Sequence, residues 1–399
     1  MDLSLTVEEA AFRDECRNWL QGNLPWDYGT GLPPLFADLA EEVAFLRDWQ
    51  RRLAGAGLVG VTWPVAFGGR GAGPMHHYLA QEELARARAP ELVGRIGVNL
   101  VGPTLLAHGT PGQQQRWLPG ILPADHLCCQ LFSEPGAGSD LAAIATRAVA
   151  TDDGWVLTGQ KVWTSYAQFA DWGLCLARTD PDSVGSRGLS MFMVDLHAPG
   201  VEVRPLRQIT DESDFNEVFL EEVPVAGDQL VGDLHDGWRV SASTLSVERG
   251  TNARQLVVHS QLLEELFALA ESNGAIEDPR LARDLAQALV EVRLFRIQNQ
   301  RVLSRLATGR DPGPVAATAK LAWSEMSQRL HGLVLRVLGD AAPLWRGADG
   351  NPGDGRWQRS WLYYRAATIF AGTSEIQRNL IGERTLDLPR EPRLPGRTG

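Results

Sequence analysis

Phe132-Ser133-Glu134-Pro135-Gly136-Ala137-Gly138-Ser139-Asp140 is the stretch on which the reading of this chain turns. Two later strings echo it. One is Gly159-Gln160-Lys161-Val162-Trp163-Thr164-Ser165, and the other is Ala371-Gly372-Thr373-Ser374-Glu375-Ile376-Gln377-Arg378-Asn379. Glycine and proline punctuate any loop, so a single such string is weak. Three in this order are a far more specific signal.

The composition around them is that of an ordinary globular protein, 44% hydrophobic and 22% charged. At 399 residues the chain exceeds the roughly 250–300 that one core supports, so two or three domains are expected. The net charge is −11 and no basic run occurs. A nucleic-acid partner is therefore disfavoured, because phosphate binding needs clustered Lys and Arg. Cys16, Cys128, Cys129 and Cys175 are too few and scattered for a disulfide framework. None has a zinc-ligand spacing with the histidines, so no metal site is expected. The N-terminus lacks the basic and apolar regions of a signal peptide. No apolar run approaches a membrane span of about 20 residues, so the expected location is cytoplasmic, with no membrane partner.

The texture changes twice along the chain. Residues 1–124 read as an N-terminal helical domain. Thr6 and Glu9 have capping-box spacing, and Phe12, Cys16, Trp19 and Leu20 share a helical face. Gly68 to Pro74 reads as a loop, with a helix resuming from Tyr78 to Arg88. Residues 125–235 carry short apolar runs: Trp155-Val156-Leu157, Leu174-Cys175-Leu176, Leu189 to Val194, Val201-Glu202-Val203 and Val218-Phe219-Leu220. Turn signals separate them, which indicates an all-β domain, barrel or sandwich. Residues 236–399 return to the helical period. Trp238 to Ser272 lacks proline and predicts one helix about 50 Å long at about 1.5 Å per residue. Leu281, Leu285, Leu289, Val292, Phe295, Val302 and Leu306 form one stripe, and Leu330, Leu333, Val334 and Val337 another. Ser374 and Gln377 have capping-box spacing and place a helix start near Thr373. The fold class is thus α+β and multi-domain, ending in a helical bundle.

With this helical–β–helical order, the three strings resemble those of the acyl-CoA dehydrogenase family, from about Leu5 to Pro389. The resemblance implies an N-terminal helical domain, a central β-barrel or sandwich and a C-terminal four-helix bundle. It also implies FAD and the desaturation of an acyl thioester to its trans-2-enoyl product. A flavin needs a flat wall, hydrogen bonds to its edge, and amides or cations near its pyrophosphate. At matching positions, Gln130, Phe132, Ser133, Trp163, Thr164 and Ser165 supply the ring contacts. Trp163 would cover one face, and Ser133 or Ser165 would reach the edge. The helix begun at Thr373, with Glu375 in its first turn, offers amides to the phosphate or ribose region. Ser139 matches a position near the thioester chain and equally fits an ST-turn.

Many members of the family carry their base as a Glu immediately before the late Gly-Thr. Here that position is Ala371, which cannot accept a proton. Its backbone N–H keeps the oxyanion-donor role that the resemblance implies, since a main-chain donor survives any side-chain change. A branch similar to isovaleryl-CoA dehydrogenase instead places the base in a Leu-x-x-Glu-Arg string on another helix. This chain has Leu245-Ser246-Val247-Glu248-Arg249. Glu248 is therefore the candidate base and Arg249 a candidate substrate contact. The plain alternative for Glu248 is a solvated helix carboxylate paired with a neighbouring cation. The implied reaction moves the α-proton to Glu248 and a β-hydride to flavin N5. Electrons then pass to electron-transferring flavoprotein.

Two further strings, which homotetramers of the family bring to a neighbour's FAD, are altered. Ser272-Asn273-Gly274-Ala275-Ile276 lacks the Arg-x-x-Phe-Gly pattern. The Gln-x-x-Gly-Gly-x-Gly pattern is reduced to Arg336-Val337-Leu338-Gly339-Asp340-Ala341-Ala342. Either Arg336 supplies a cation near the pyrophosphate, or a different partner chain supplies the contacts. The assembly is then a homo- or heteromeric tetramer or dimer. A flavin oxidase or monooxygenase on the same fold, and a silent subunit completing a partner's FAD site, fit the same strings. The acyl group stays open among short branched, long and steroid-like chains, as does CoA against a carrier protein. Ala371 and a relocated base hint at a branched or bulky substrate.

Overall fold

The computed structural model describes residues 5–25, 36, 38–248, 252–310 and 313–390, apart from the side chains of 246–248 and 314. Among the described residues the chain forms eight strands. They are β1 (Cys128–Leu131), β2 (Arg147–Thr151), β3 (Gly154–Ser165), β4 (Trp172–Arg178), β5 (Leu189–Asp195), β6 (Val201–Leu206), β7 (Phe215–Ala226) and β8 (Leu230–Val231). They form one sheet in the order β6-β7-β3-β2-β4-β5-β8, with β1 pairing in parallel to β4. All five apolar runs are strands. The reading by apolar runs passes over β2 because four of its five residues are exposed. Strands β4 and β5 are buried along almost their whole length, which is why they read as unbroken apolar runs. A core of Cys129, Leu131, Leu157, Cys175, Phe192, Val194 and Val218 lies along the sheet. Gly159 permits the approach of β2 to β3, since a Cβ there would stand 2.3 Å from Thr146 Oγ1.

Among the described residues there are eleven α-helices: α1 (Val7–Asn23), α2 (Leu39–Gly55), α3 (Pro74–Arg86), α4 (Gly102–His108), α5 (Pro111–Ile121), α6 (Gly237–Glu248), α7 (Ala253–Ser272), α8 (Pro279–Ala307), α9 (Gly313–Leu338), α10 (Arg356–Tyr363) and α11 (Ser374–Thr385). The chain divides into two compact units. One holds the sheet with α2, α4, α5 and α6. The other holds α1, α3 and α7 to α11. Among the described residues no helix is long and apolar enough to cross a membrane.

In the sheet unit, Gln113 closes a capping box with Thr110 and donates to the Asp228 and Leu230 carbonyls at 2.7 Å. That ties α5 to the end of the sheet. The Thr104 and Thr244 hydroxyls meet at 2.7 Å between α4 and α6. In the helical unit, the Thr6–Glu9 capping box forms as expected, and Phe12, Cys16 and Leu20 are buried. Arg17 makes a two-pronged ion pair with buried Glu83 on α3, both bonds at 3.0 Å.

Two expectations are corrected. Helix α3 begins at Pro74, not Tyr78, because proline at the first position presets the helical φ. The single helix from Trp238 to Ser272 is two, α6 and α7. Asn252 has φ −102° and ψ 50°, outside the helix, and its amide donates to Asn299 Oδ1 at 2.8 Å. The bond is long-range, from a main-chain amide to a side chain 47 residues further on.

The bundle core of the helical unit holds the first expected stripe as far as Phe295 and the whole of the second, and Leu306 is only half-buried; two buried histidines also lie in this unit. His259 bonds Ser327 Oγ and the Gln255 carbonyl at 2.7 Å, while His331 bonds the Ser327 carbonyl at 2.7 Å and stacks on Tyr364. Burial pushes His259 down to about 4 and His331 to about 3. Both stay neutral in the fold, whereas the unfolded chain takes up protons near pH about 6.5. Stability is therefore full above that pH and falls as pH drops towards 4. The urea midpoint should be lower at pH 5 than at pH 7.5, and His331→Gln should shrink the difference. An unchanged difference in the variant would contradict this account.

Candidate active site

The first two strings are joined by a buried ion pair. Lys161 lies on β3, inside the sheet unit, and is 0% exposed. Its Nζ donates to Glu134 Oε1 at 2.9 Å, to the Phe132 carbonyl at 3.1 Å and to the Leu176 carbonyl at 2.8 Å. Glu134 in turn accepts from the amides of Ala145 at 2.6 Å and Thr146 at 2.9 Å. Burial pushes the Glu134 carboxyl up, but Lys161 and the hydrogen bonds from Thr146 and Ala145 outweigh it and hold it below the usual carboxylate range. The Glu134 and Ala137 backbones exchange two hydrogen bonds of 3.0 Å, closing the turn over Pro135-Gly136.

On this frame the expected ring contacts fall close together in one sheet. Gln130 lies on β1 opposite Leu174 of β4, and Phe132 is buried just beyond it. The Ser133 carbonyl accepts from the Val162 amide at 2.9 Å. Between Lys161 and Thr164 strand β3 takes three steps while β7 takes two, from Val218 to Asn216, so the ladder bulges. Bulges re-aim side chains beside functional sites. Trp163, on the bulge, has φ 60° and is 62% exposed, with its ring edge-on to Phe215. Thr164 is fully buried, yet its Oγ1 has no partner among the described residues. Asn216 donates to the Thr164 carbonyl at 3.0 Å, and its own Oδ1 is likewise unpartnered. Ser165 pairs with Phe215 at the end of the ladder. Ser139 is exposed beyond the turn.

The third string lies in the helical unit. Ala371 has φ 54° and Gly372 φ 85°, so the chain makes a left-handed turn before α11. A Cβ at Gly372 would stand 2.6 Å from Gln377 Nε2. The helix cap is Thr373, whose Oγ1 accepts from the Ile376 amide at 3.1 Å. The Ser374–Gln377 capping box expected from spacing does not form. Gln377 Nε2 instead turns back to the Ala371 and Gly372 carbonyls, leaving Ser374 Oγ and Gln377 Oε1 buried and unpartnered. Hydrogen bonds from its own amide and from Thr373 hold the Glu375 carboxyl below the usual carboxylate range. Arg336, on α9, forms an ion pair with Asp284 of α8. Glu248 ends α6, with its side chain outside the described set, and Arg249 lies outside the described residues.

Within its own unit, each orphaned hydroxyl suits a ligand that offers it a hydrogen bond, as a flavin nucleotide does. Thr164 Oγ1 and Ser374 Oγ each fall within a string read as a flavin contact, and burial without a partner is unfavourable for a hydroxyl. Lys161, Glu134 and Asn216 were not singled out by the sequence reading. The signal was present for Lys161, which shares the inward side of β3 with Leu157, where a cation requires a partner.

Known proteins match along nearly the whole chain. Family profiles match it as acyl-CoA dehydrogenase N-terminal domain over residues 6–125, middle domain over 129–223 and C-terminal domain over 235–386. It is 43% identical over 390 residues to the acyl-CoA dehydrogenase IpdE1 of Mycobacterium tuberculosis, covering 96% of this chain and 98% of that one. The solved "Tcur3481-Tcur3483 steroid ACAD" superposes with a TM-score of 0.85 at 28% identity, over 98% of this chain and all of that one (100%). The ChsE4-ChsE5 complex from Mycobacterium tuberculosis gives 0.83 at 28% identity, over 98% of this chain and 100% of that one.

Thr164→Val tests the fit directly. Removing an orphaned hydroxyl should leave the apoprotein as stable or slightly more so, while FAD affinity falls about five- to tenfold, the worth of one hydrogen bond. Apoprotein melting and flavin titration read the two effects separately. Loss of stability with unchanged FAD affinity would show that the hydroxyl serves the fold alone.

Proposed function

The chain belongs to the acyl-CoA dehydrogenase family of flavin-dependent oxidoreductases, and from that premise we propose that it binds FAD and desaturates an acyl-CoA between its α and β carbons. The observation that most supports this is buried Thr164, an unpartnered hydroxyl on a strand that Lys161 and Glu134 fix against the first string. In the sheet unit, Gln130, Phe132, Ser133, Trp163, Thr164 and Ser165 hold the flavin ring. In the helical unit, Thr373 and Glu375 serve the ribose end, where an ionised carboxylate suits a hydroxyl group and repels a phosphate. Bound FAD supplies the hydride acceptor. The domain borders on this reading fall near residues 124 and 235.

The chain's own residues divide the remaining work. Glu248 takes the α-proton, and the Ala371 N–H donates to the thioester oxygen as negative charge develops there. Ser139 and Arg249 contact the substrate. Alanine at 371 leaves room that a glutamate would fill, which favours a bulky acyl group, and a steroid-derived CoA thioester is the class we assign. The structural relative described as a steroid ACAD supports that class. Electrons leave to electron-transferring flavoprotein in the cytoplasm.

A second subunit type completes the enzyme on this reading. Arg336, the one cation proposed to replace the altered string, is already paired with Asp284. On α8, Val290, Leu294 and Ile297 form an outward apolar stripe, each about half exposed, as a helix held against a partner would present. Two structural relatives are described as pairs of chains.

Glu248→Gln should retain FAD and lose at least about 10²-fold in turnover, the usual worth of a positioned base. Steady-state rates at matched flavin content measure it. Full activity in that variant would refute the assignment of the base.

A further inference from the structure

We propose that Lys320 is a positioning residue for the reaction, fixing the turn that aims the Ala371 N–H at the thioester oxygen. The inference rests on the dehydrogenase reading above and adds a residue to it.

The turn is not one the chain adopts freely. A non-glycine residue in the left-handed region is disfavoured by roughly 1–2 kcal/mol, and Ala371 sits there with φ 54°. Such a conformation persists only where its surroundings over-determine it. They do so from two directions. Gln377 on α11 donates to the Ala371 carbonyl at 3.2 Å and the Gly372 carbonyl at 3.4 Å. From α9, Lys320 Nζ donates to the Gly372 carbonyl at 2.6 Å and the Ala367 carbonyl at 3.1 Å.

Lys320 is 7% exposed, so these are charge-assisted bonds formed away from water. Two helical turns further along α9, Gln328 donates to the Arg365 carbonyl at 3.0 Å and the Thr368 hydroxyl at 2.9 Å. One face of a single helix therefore pins the segment 365–372 at both ends. The Ala371 N–H belongs to the peptide just inside that clamp. With the Ala367 and Gly372 carbonyls held, the φ of Ala371 fixes where the N–H points. An oxyanion donor works by being aimed in advance, and a small misplacement forfeits much of its effect.

A buried lysine with only a structural role would stabilise the bundle and leave the chemistry untouched. The two cases separate with acetoacetyl-CoA, whose acidic α-carbon gives up a proton to form an enolate. On the FAD-loaded enzyme, in its complete assembly, the pH at which bound acetoacetyl-CoA ionises is read by ultraviolet absorbance. It reports how well the carbonyl oxygen's negative charge is stabilised. Lys320→Met should raise that pH by about one unit, the signature of tenfold weaker stabilisation. It should also lower kcat about 10- to 100-fold with KM nearly unchanged, because the lost interaction strengthens in the transition state. Lys320→Arg, which keeps the charge but shifts the donors, should fall between. Hydrogen exchange of residues 366–378 should quicken in Lys320→Met while α8 stays protected.

An enolisation pH and kcat like the wild type's in Lys320→Met would overturn the proposal. If that variant fails to fold, wild-type values in Lys320→Arg would do the same. Should wild type leave bound acetoacetyl-CoA no more acidic than in water, the dehydrogenase reading fails. Exchange at 366–378 then decides alone whether Lys320 holds the turn.

Discussion

The ion pair between Lys161 and Glu134 is the constraint on which the sheet unit depends. Both groups lie almost wholly out of water, and moving a charge there is unfavourable by several kcal/mol unless it is paired. Here pairing is joined by backbone hydrogen bonds on both sides. Lys161 reaches the Phe132 and Leu176 carbonyls, and Glu134 gathers the Ala145 and Thr146 amides. One contact thus fixes the end of β1, the approach to β2, and the middle of β3 and β4. Because Glu134 is held below its ordinary range, its contribution is complete above pH about 4.5 and is lost as the pH falls through its folded value.

The helical unit repeats the device with a different lysine. Lys161 and Lys320 are each buried, and each donates to two main-chain carbonyls beside a string read as a flavin or thioester contact. Backbone donors and acceptors stay useful when side chains change, provided something holds the chain in place. On the proposed reading, that is how a main-chain donor at 371 serves without a carboxylate side chain. The left-handed turn is kept, and the proton acceptor is assigned to Glu248 at the end of α6. On the proposed reading, moving the acceptor to another helix leaves the main-chain donor at Ala371 in place.

Much of this was legible in the amino-acid sequence, and the failures have physical causes. The order of helical, β and helical regions follows from periodicity, and the Thr6–Glu9 box forms as its spacing indicates. Strand β2 escaped notice because pattern recognition needs an apolar face, and Arg147–Thr151 has one buried residue. The break at Asn252 was missed because its cause is long-range, a hydrogen bond to Asn299 on another helix. The bulge that turns Trp163 outward depends on register with β7, which no local string encodes. The site strings were recognisable as turns, but nothing local identifies the partners of Lys161, within the second string, or of Lys320 on α9. Their partners lie 27 residues away for Glu134 and 52 for Gly372.

FAD affinity across a double-mutant cycle on Glu134 and Lys161 tests the central claim most directly. The account predicts that Lys161→Met strands the buried carboxylate, lowers stability by about 3–5 kcal/mol and weakens FAD binding. Adding Glu134→Gln should recover part of both losses, because the stranded charge is then gone. A Lys161→Met protein that folds and binds FAD as the wild type does would contradict it.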